Sequence, residues 1–157
     1  MKNIVITECD TGFGFNAAKY LAEQGHKVYA IMKNTTTTNT EAAKILSDFA
    51  TTKNRNLSVV DLDVTSDQSL ADIIKQIEHV DVFINNCGKD YEEPTEALSE
   101  GVYDAELDFN VIGNVPILNA ISPMMRANKS GLFIQLISVG GRLTVMDLAF
   151  IKPANGP

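Results

Sequence analysis

The residues of this chain that could do chemistry fall in short clusters. The first is Thr7-Glu-Cys-Asp-Thr-Gly-Phe-Gly14, where Gly12 and Gly14 lie between an apolar run and a helical pattern. Glycines at such a turn let the backbone approach a phosphate, and the helix N-terminus behind them supplies partial positive charge. Two carboxylates, Glu8 and Asp10, share the loop and oppose a phosphate there. At about 5 Å and an effective dielectric of about 20, two like charges cost about 3 kcal/mol before screening, or about 100-fold in affinity. Further clusters are Asp61-Leu-Asp-Val-Thr65, Asn85-Asn-Cys-Gly88, Asp108-Phe-Asn-Val-Ile-Gly113 and Ile137-Ser-Val-Gly-Gly141. Singly, each also fits ordinary turn chemistry or helix capping.

Short β-rich runs alternate with longer amphipathic stretches, and these must position the clusters. Strands are expected at residues 3–7, 27–32, 57–62, 80–85 and 132–137. Most are near-continuous apolar runs, as suits strands buried on both faces of a parallel sheet. Helical patterns lie at 13–24, 40–50 and 67–77, and a longer one covers 100–128. In the first, Phe13, Ala17, Tyr20 and Leu21 recur at helical spacing and Gly25 stops the helix. Thr65 or Ser66 caps the third. Pro116 is expected to kink the long helix and Pro123 to bend or end its final turns. The alternation predicts right-handed crossovers and a doubly wound α/β fold, three layers around a parallel sheet of about five strands in the order 3-2-1-4-5. Ligands of such sheets bind outside the carboxyl ends of the strands, where most of the clusters fall. That order makes the first and fourth strands neighbours, bringing Cys9 and Cys87 close. They fit two small semi-buried side chains, or a redox pair or soft-metal site. Neither His26 nor His79 falls in a motif that completes a metal set, so no metal is expected.

The 157 residues suit a single domain over 1–157, with an irregular tail at 142–157. The apolar runs are far shorter than the roughly 20 residues needed to cross a bilayer. A net charge of −7 with 13 scattered basic residues argues against a nucleic-acid or anionic-membrane surface. Two cysteines fit a reducing compartment, and Met1-Lys2-Asn3 runs straight into a strand, so a cytoplasmic location is expected.

Together the clusters resemble the short-chain dehydrogenase/reductase family along nearly the whole chain. The Ser-Val-Gly-Gly setting is similar to that of hydroxysteroid dehydrogenase-like members. The family's Thr-Gly-x-x-x-Gly-x-Gly looks like Thr7 through Gly14, which assigns Thr7, Thr11, Gly12, Phe13 and Gly14 to the cofactor. Asp63-Val64 looks like its adenine-contacting pair, and Asn85-Asn86-Cys87-Gly88 is similar to its Asn-Asn-Ala-Gly element. Asn110 corresponds to the helix asparagine that completes the catalytic set and organises a proton-relay water. Ser138 corresponds to the serine that hydrogen-bonds the substrate oxygen. Lys33 stands where members often carry a basic residue for the 2′-phosphate of NADP, with an ordinary solvated lysine as the equal alternative. The resemblance implies hydride transfer between NADP or NAD and a small alcohol or carbonyl substrate.

The departures are systematic. Glu8 replaces the family's first glycine, and Ile151 and Asn155 occupy the places of the catalytic tyrosine and lysine. In the family that lysine lowers the tyrosine's pKa and holds the nicotinamide ribose. Isoleucine has no proton to give, and asparagine has no charge to tune one. Lys152 points off that helix face, and Tyr29-Ala-Ile-Met-Lys33 lies on an expected strand. The resemblance also implies further strands and a substrate-covering segment beyond Pro157. Without them the fifth strand becomes an exposed edge, inviting self-association or cover from the tail. Weak nucleotide binding and impaired turnover are therefore expected. The alternative is a non-catalytic Rossmann-like module that binds a nucleotide or a protein, with the helix over 100–128 as a homo-oligomer surface.

Overall fold

Aliphatic and β-branched residues run together in β1 (Asn3–Ile6) and β2 (Lys27–Met32), and both strands are buried almost throughout. With β3 (Leu57–Asp61), β4 (Val82–Asn85) and β5 (Leu132–Gln135) they form one five-stranded sheet. All four pairings are parallel, and the order is β3-β2-β1-β4-β5, as the alternation predicts. The computed structural model describes residues 1–63, 70, 74–88 and 99–138. Four of the strands are one or two residues shorter than expected. Thr7, Leu62 and Leu136 each still donate one N–H across the sheet, to Ile84, Met32 and Asn85, before the chain turns away.

Successive strand residues point to opposite faces, which builds two cores. Ile4, Ile6, Val28, Ala30 and Met32 pack with Ala18 and Ala22 of α1 (Gly12–Glu23) and Leu46 of α2 (Thr40–Thr52). Val5, Tyr29, Ile31 and Phe83 pack on the other face with Ile117, Ile121 and Met125 of α4 (Val115–Ala127). This is the expected three-layer arrangement. Residues 67–77 fall mostly outside the described residues, although Leu70 and Ile77 are buried in the second core. The 142–157 tail also lies outside them.

Two expectations need correction. The buried stripe of α1 is Gly14, Ala18 and Ala22; of the expected set Ala17 and Leu21 pack partly buried against the core, while Phe13 and Tyr20 are 82% and 61% exposed. Small residues win there because α1 lies too close to the β1 loop for large ones. The stretch over 100–128 is two helices, α3 (Glu100–Asn110) and α4, joined by a 3₁₀ turn at Ile112–Asn114. Pro116 lies in the first turn of α4, where its missing N–H has no helical partner to lose. Pro123 lies inside α4, which runs on past it to Ala127. As expected, β5 forms an exposed edge of the sheet, and it is exposed along its length.

Gly25 stops α1 as expected, at φ +84°, with Gly25 N–H donating to Ala22 and His26 N–H to Leu21. Asn54 and Lys129 perform the same closure after α2 and α4, at φ +50° and +51°. No helix among the described residues is long and apolar enough to cross a membrane.

Candidate cofactor site

The site is built on the contact between α1 and the loop after β1. A Cβ on Gly14 would collide with the Glu8 carbonyl oxygen and stand 2.8 Å from Asn86 Nδ2, so only glycine fits. Gly12 takes φ +57° at the exposed start of the helix. Glu8 takes φ +55°, the left-handed conformation that glycine would adopt freely.

Beneath the loop, Thr7 Oγ1 donates to Asn85 Oδ1 at 3.0 Å and accepts from the Asn86 and Cys87 amides at 2.9 and 3.3 Å. Asn85 Nδ2 donates to Gln135 Oε1 at 2.8 Å. The ends of β1, β4 and β5 are thereby tied together. Thr7 and Asn85 are 0% and 1% exposed, so they position the loops and present no surface to a ligand. Above them, Glu8 Oε2 accepts from the Gly88 amide at 3.2 Å, and the Glu8 carbonyl accepts from Asn86 Nδ2 at 3.1 Å. The side chain at the family's first-glycine position therefore reaches across to the β4 loop.

A cavity of 140 Å³ opens at the carboxyl ends of the strands, lined by Glu8, Asp10, Ile31, Met32, Lys33, Asn39, Leu62, Asp63, Cys87 and Phe109. It gathers one expected residue from the segment after each of β2, β3 and β4: Lys33, Asp63 and Cys87. Three of its side chains are carboxylates and one is an ammonium. Thr11, Gly12 and Phe13 lie at the solvent-exposed start of α1. Val64, Ile151 and Asn155 fall outside the described residues.

Asn110 is the last residue of α3, with Oδ1 3.8 Å from the position a Cβ would take on Gly88. Its Nδ2 donates to the Glu106 carboxylate, and its carbonyl accepts from Asn114 Nδ2 at 3.0 Å. The helix asparagine thus faces the β4 loop. Ser138 is half-buried just past β5. Burial, with the Cys87 charge adding to it, pushes the Cys9 thiol well above its usual range. Burial likewise pushes Cys87 up to about 11, against the Thr7 hydrogen bond and the Lys33 charge. Both cysteines are free. Protonated thiols at neutral pH suit two packed side chains better than a redox pair. Among the described residues no group of His, Cys, Asp and Glu is placed to hold a metal.

Sequence reasoning missed three residues. Asp61, quoted in a cluster but given no role, holds the loop after β2. Asn39 lines the cavity and its Nδ2 donates to the Lys33 carbonyl at 2.8 Å. Glu106 is a 2%-exposed carboxylate one turn before Asn110, and its i,i+4 spacing to that asparagine was a usable signal.

The fold is a doubly wound α/β sheet with a cavity at the carboxyl ends of its strands, where ligands of such sheets bind. A family model described as short chain dehydrogenase matches residues 2–149, and the chain belongs to that family. Human 17-beta-hydroxysteroid dehydrogenase type 1 is 34% identical over 154 residues, covering 94% of this chain and 45% of the relative. Retinol dehydrogenase 8 from Bos taurus is 31% identical over 148 residues, with 89% and 45% covered. The chain thus spans 45% of the length of each of these two relatives. A gluconate 5-dehydrogenase from Burkholderia cenocepacia, in complex with NADP and tartrate, superposes with a TM-score of 0.84 at 22% identity, over 98% of this chain and 60% of that one. Serine dehydrogenase from Escherichia coli gives 0.82 at 22%, over 98% and 69%.

Proposed function

We propose that this chain is the nucleotide-holding portion of a short-chain alcohol/carbonyl oxidoreductase, and that by itself it binds NAD(P) weakly and turns over poorly. The observation that carries the binding half is the cavity at the carboxyl ends of β1 to β4, lined by Lys33, Asp63 and Cys87. Gly14 gives α1 the close packing on the β1 loop that a dinucleotide fold needs, and Lys33 and Asp63 line the cavity where the adenosine would lie. The phosphate side fits less well, because the Glu8 and Asp10 carboxylates share that loop. When bound, the nicotinamide would supply or accept hydride. Lys33, Asp63 and the β4 loop would hold the nucleotide, Ser138 would hydrogen-bond the substrate oxygen, and Asn110 would organise a proton-relay water.

Impaired turnover follows from Ile151 and Asn155, which offer neither a proton nor the charge to tune one. The relatives named for hydroxysteroid and retinol dehydrogenation make alcohol–carbonyl exchange the reaction class carried over. A non-catalytic module remains the second reading, favoured by the Glu8 carboxylate closing onto the Gly88 amide. Calorimetric titration with NADH and NADPH tests the first half, and weak but saturable binding is expected. Carbonyl reduction that Ser138→Ala abolishes would overturn the claim of poor turnover.

A further inference from the structure

The end of β2 carries an anion-binding nest that the chain fills for itself. Asn34 takes φ +57°, which turns two successive backbone N–H groups and the Thr35 hydroxyl toward one point. Asp61, from the end of β3, occupies that point. Its Oδ1 accepts from Asn34 N at 3.1 Å, and its Oδ2 accepts from Thr35 N at 3.0 Å and Thr35 Oγ1 at 2.6 Å. The Thr37 and Asn39 amides then donate to the Asn34 carbonyl at 3.1 and 3.0 Å. Thus the polar stretch Asn34–Asn39 is a closed turn pinned to the neighbouring strand.

In doubly wound nucleotide folds the ribose 2′ position is recognised near the end of the second strand. Lys33, Asn39 and Leu62, which adjoin this nest in sequence or by hydrogen bond, all line the cavity. We infer that Asp61 is a specificity residue that makes the site prefer an adenine nucleotide with a free 2′-hydroxyl over one with a 2′-phosphate. This rests on the nucleotide-binding reading above. A 2′-phosphate would seek the two amides and the hydroxyl that Asp61 already holds, and would meet that carboxylate's charge as well. A 2′-hydroxyl can instead donate to it. Lys33 pulls the other way, but the Glu8, Asp10 and Asp63 carboxylates line the same cavity and offset its charge.

The test uses the full chain and two probes differing only at the 2′ position, adenosine 5′-monophosphate and adenosine 2′,5′-bisphosphate, titrated by calorimetry. The wild type should favour the monophosphate by about tenfold or more, the size of one close like charge near a protein surface. Asp61→Asn, which keeps the shape and removes the charge, should shift the affinity ratio toward the bisphosphate by about tenfold. Asp61→Ala should shift it further. Amide hydrogen exchange across residues 33–39 separates a loosened loop from a lost charge, since Asp61→Asn should leave most of the protection in place. A wild type that binds the two probes equally, or prefers the bisphosphate, overturns the inference, as does a ratio unmoved in Asp61→Asn. A chain that binds neither probe overturns the nucleotide reading along with it.

Discussion

At Glu8 the backbone and the side chain make opposite demands. The backbone is in a left-handed conformation that costs a non-glycine residue about 1–2 kcal/mol. The carboxylate meanwhile satisfies the Gly88 amide, which offsets part of that cost. Glu8→Gly should therefore leave stability nearly unchanged while raising nucleotide affinity by about tenfold or more, because one carboxylate leaves the phosphate loop. Calorimetric titration with NADH measures this, and an unchanged dissociation constant would count against Glu8 as the obstacle. Asp81 sits at the opposite end of the sheet. Its Oδ2 accepts from the Asn3 amide at 2.7 Å, and its own N–H and C=O bond to Asn3 and Leu132. The Asn3 amide, with Lys2 and His79 beside it, holds the carboxyl below its usual range despite some desolvation. A depressed folded pKa stabilises the fold above the unfolded value, and that stability is lost as pH falls through the folded one. Asp81→Asn should cost about 1–2 kcal/mol at neutral pH. Its acid-unfolding curve should fall less steeply below about pH 4 than the wild type's. Superimposable acid limbs would refute the assignment.

Among the elements, α1 decides the geometry of the site, and its two N-terminal glycines act for different reasons. Gly14 is required by contact, whereas Gly12 has open space around a would-be Cβ and only a positive φ to hold. Gly14→Ala should cost more than about 2 kcal/mol through backbone displacement, and Gly12→Ala about 1 kcal/mol through strain. Thermal unfolding of both variants checks this, and equal losses would mean that the close approach is not a constraint. The strand order was legible because a periodicity of strand and helix admits few topologies. The buried face of α1 was not, since large residues at helical spacing suggested an inward stripe that close approach forbids. The split near residue 111 was half legible. Pro116 marked it, but a proline in a first turn and one inside a helix look alike in sequence. Of the expected site residues, Lys33, Asp63 and Cys87 line one cavity. Asp61 and Asn39 were hidden, because their roles depend on β3 lying beside β2 and on a loop closing over it.

For the whole molecule, the two faces of the sheet are unequally covered at the β5 end. On the α4 side Phe133 packs edge-to-face on buried Phe83, with ring centroids 5.7 Å apart. On the α1 side an apolar groove of 440 Å³ runs between Phe13, Ala17 and Tyr20 of the helix and Ile84, Ile134 and Leu136 of the sheet. Leu132 and Ile134 remain 52% and 39% exposed along the edge strand of the sheet. Fully burying an aliphatic or aromatic side chain contributes about 1.5–3 kcal/mol, and association costs at least about 4 kcal/mol in lost freedom. Burying the exposed remainder of Leu132, Ile134, Phe13 and Tyr20 against a second copy would yield a small surplus, hence a weak and reversible dimer. The net charge of −7 opposes such pairing, so added salt should strengthen it. Sedimentation velocity on the 157-residue chain should show a sedimentation coefficient that rises with concentration and with salt. Ile134→Lys, which places a charge in the groove, should return the chain to a monomer and leave the nucleotide preference untouched. A wild type that stays monomeric at high concentration and high salt would show that the groove and edge do not meet a second copy.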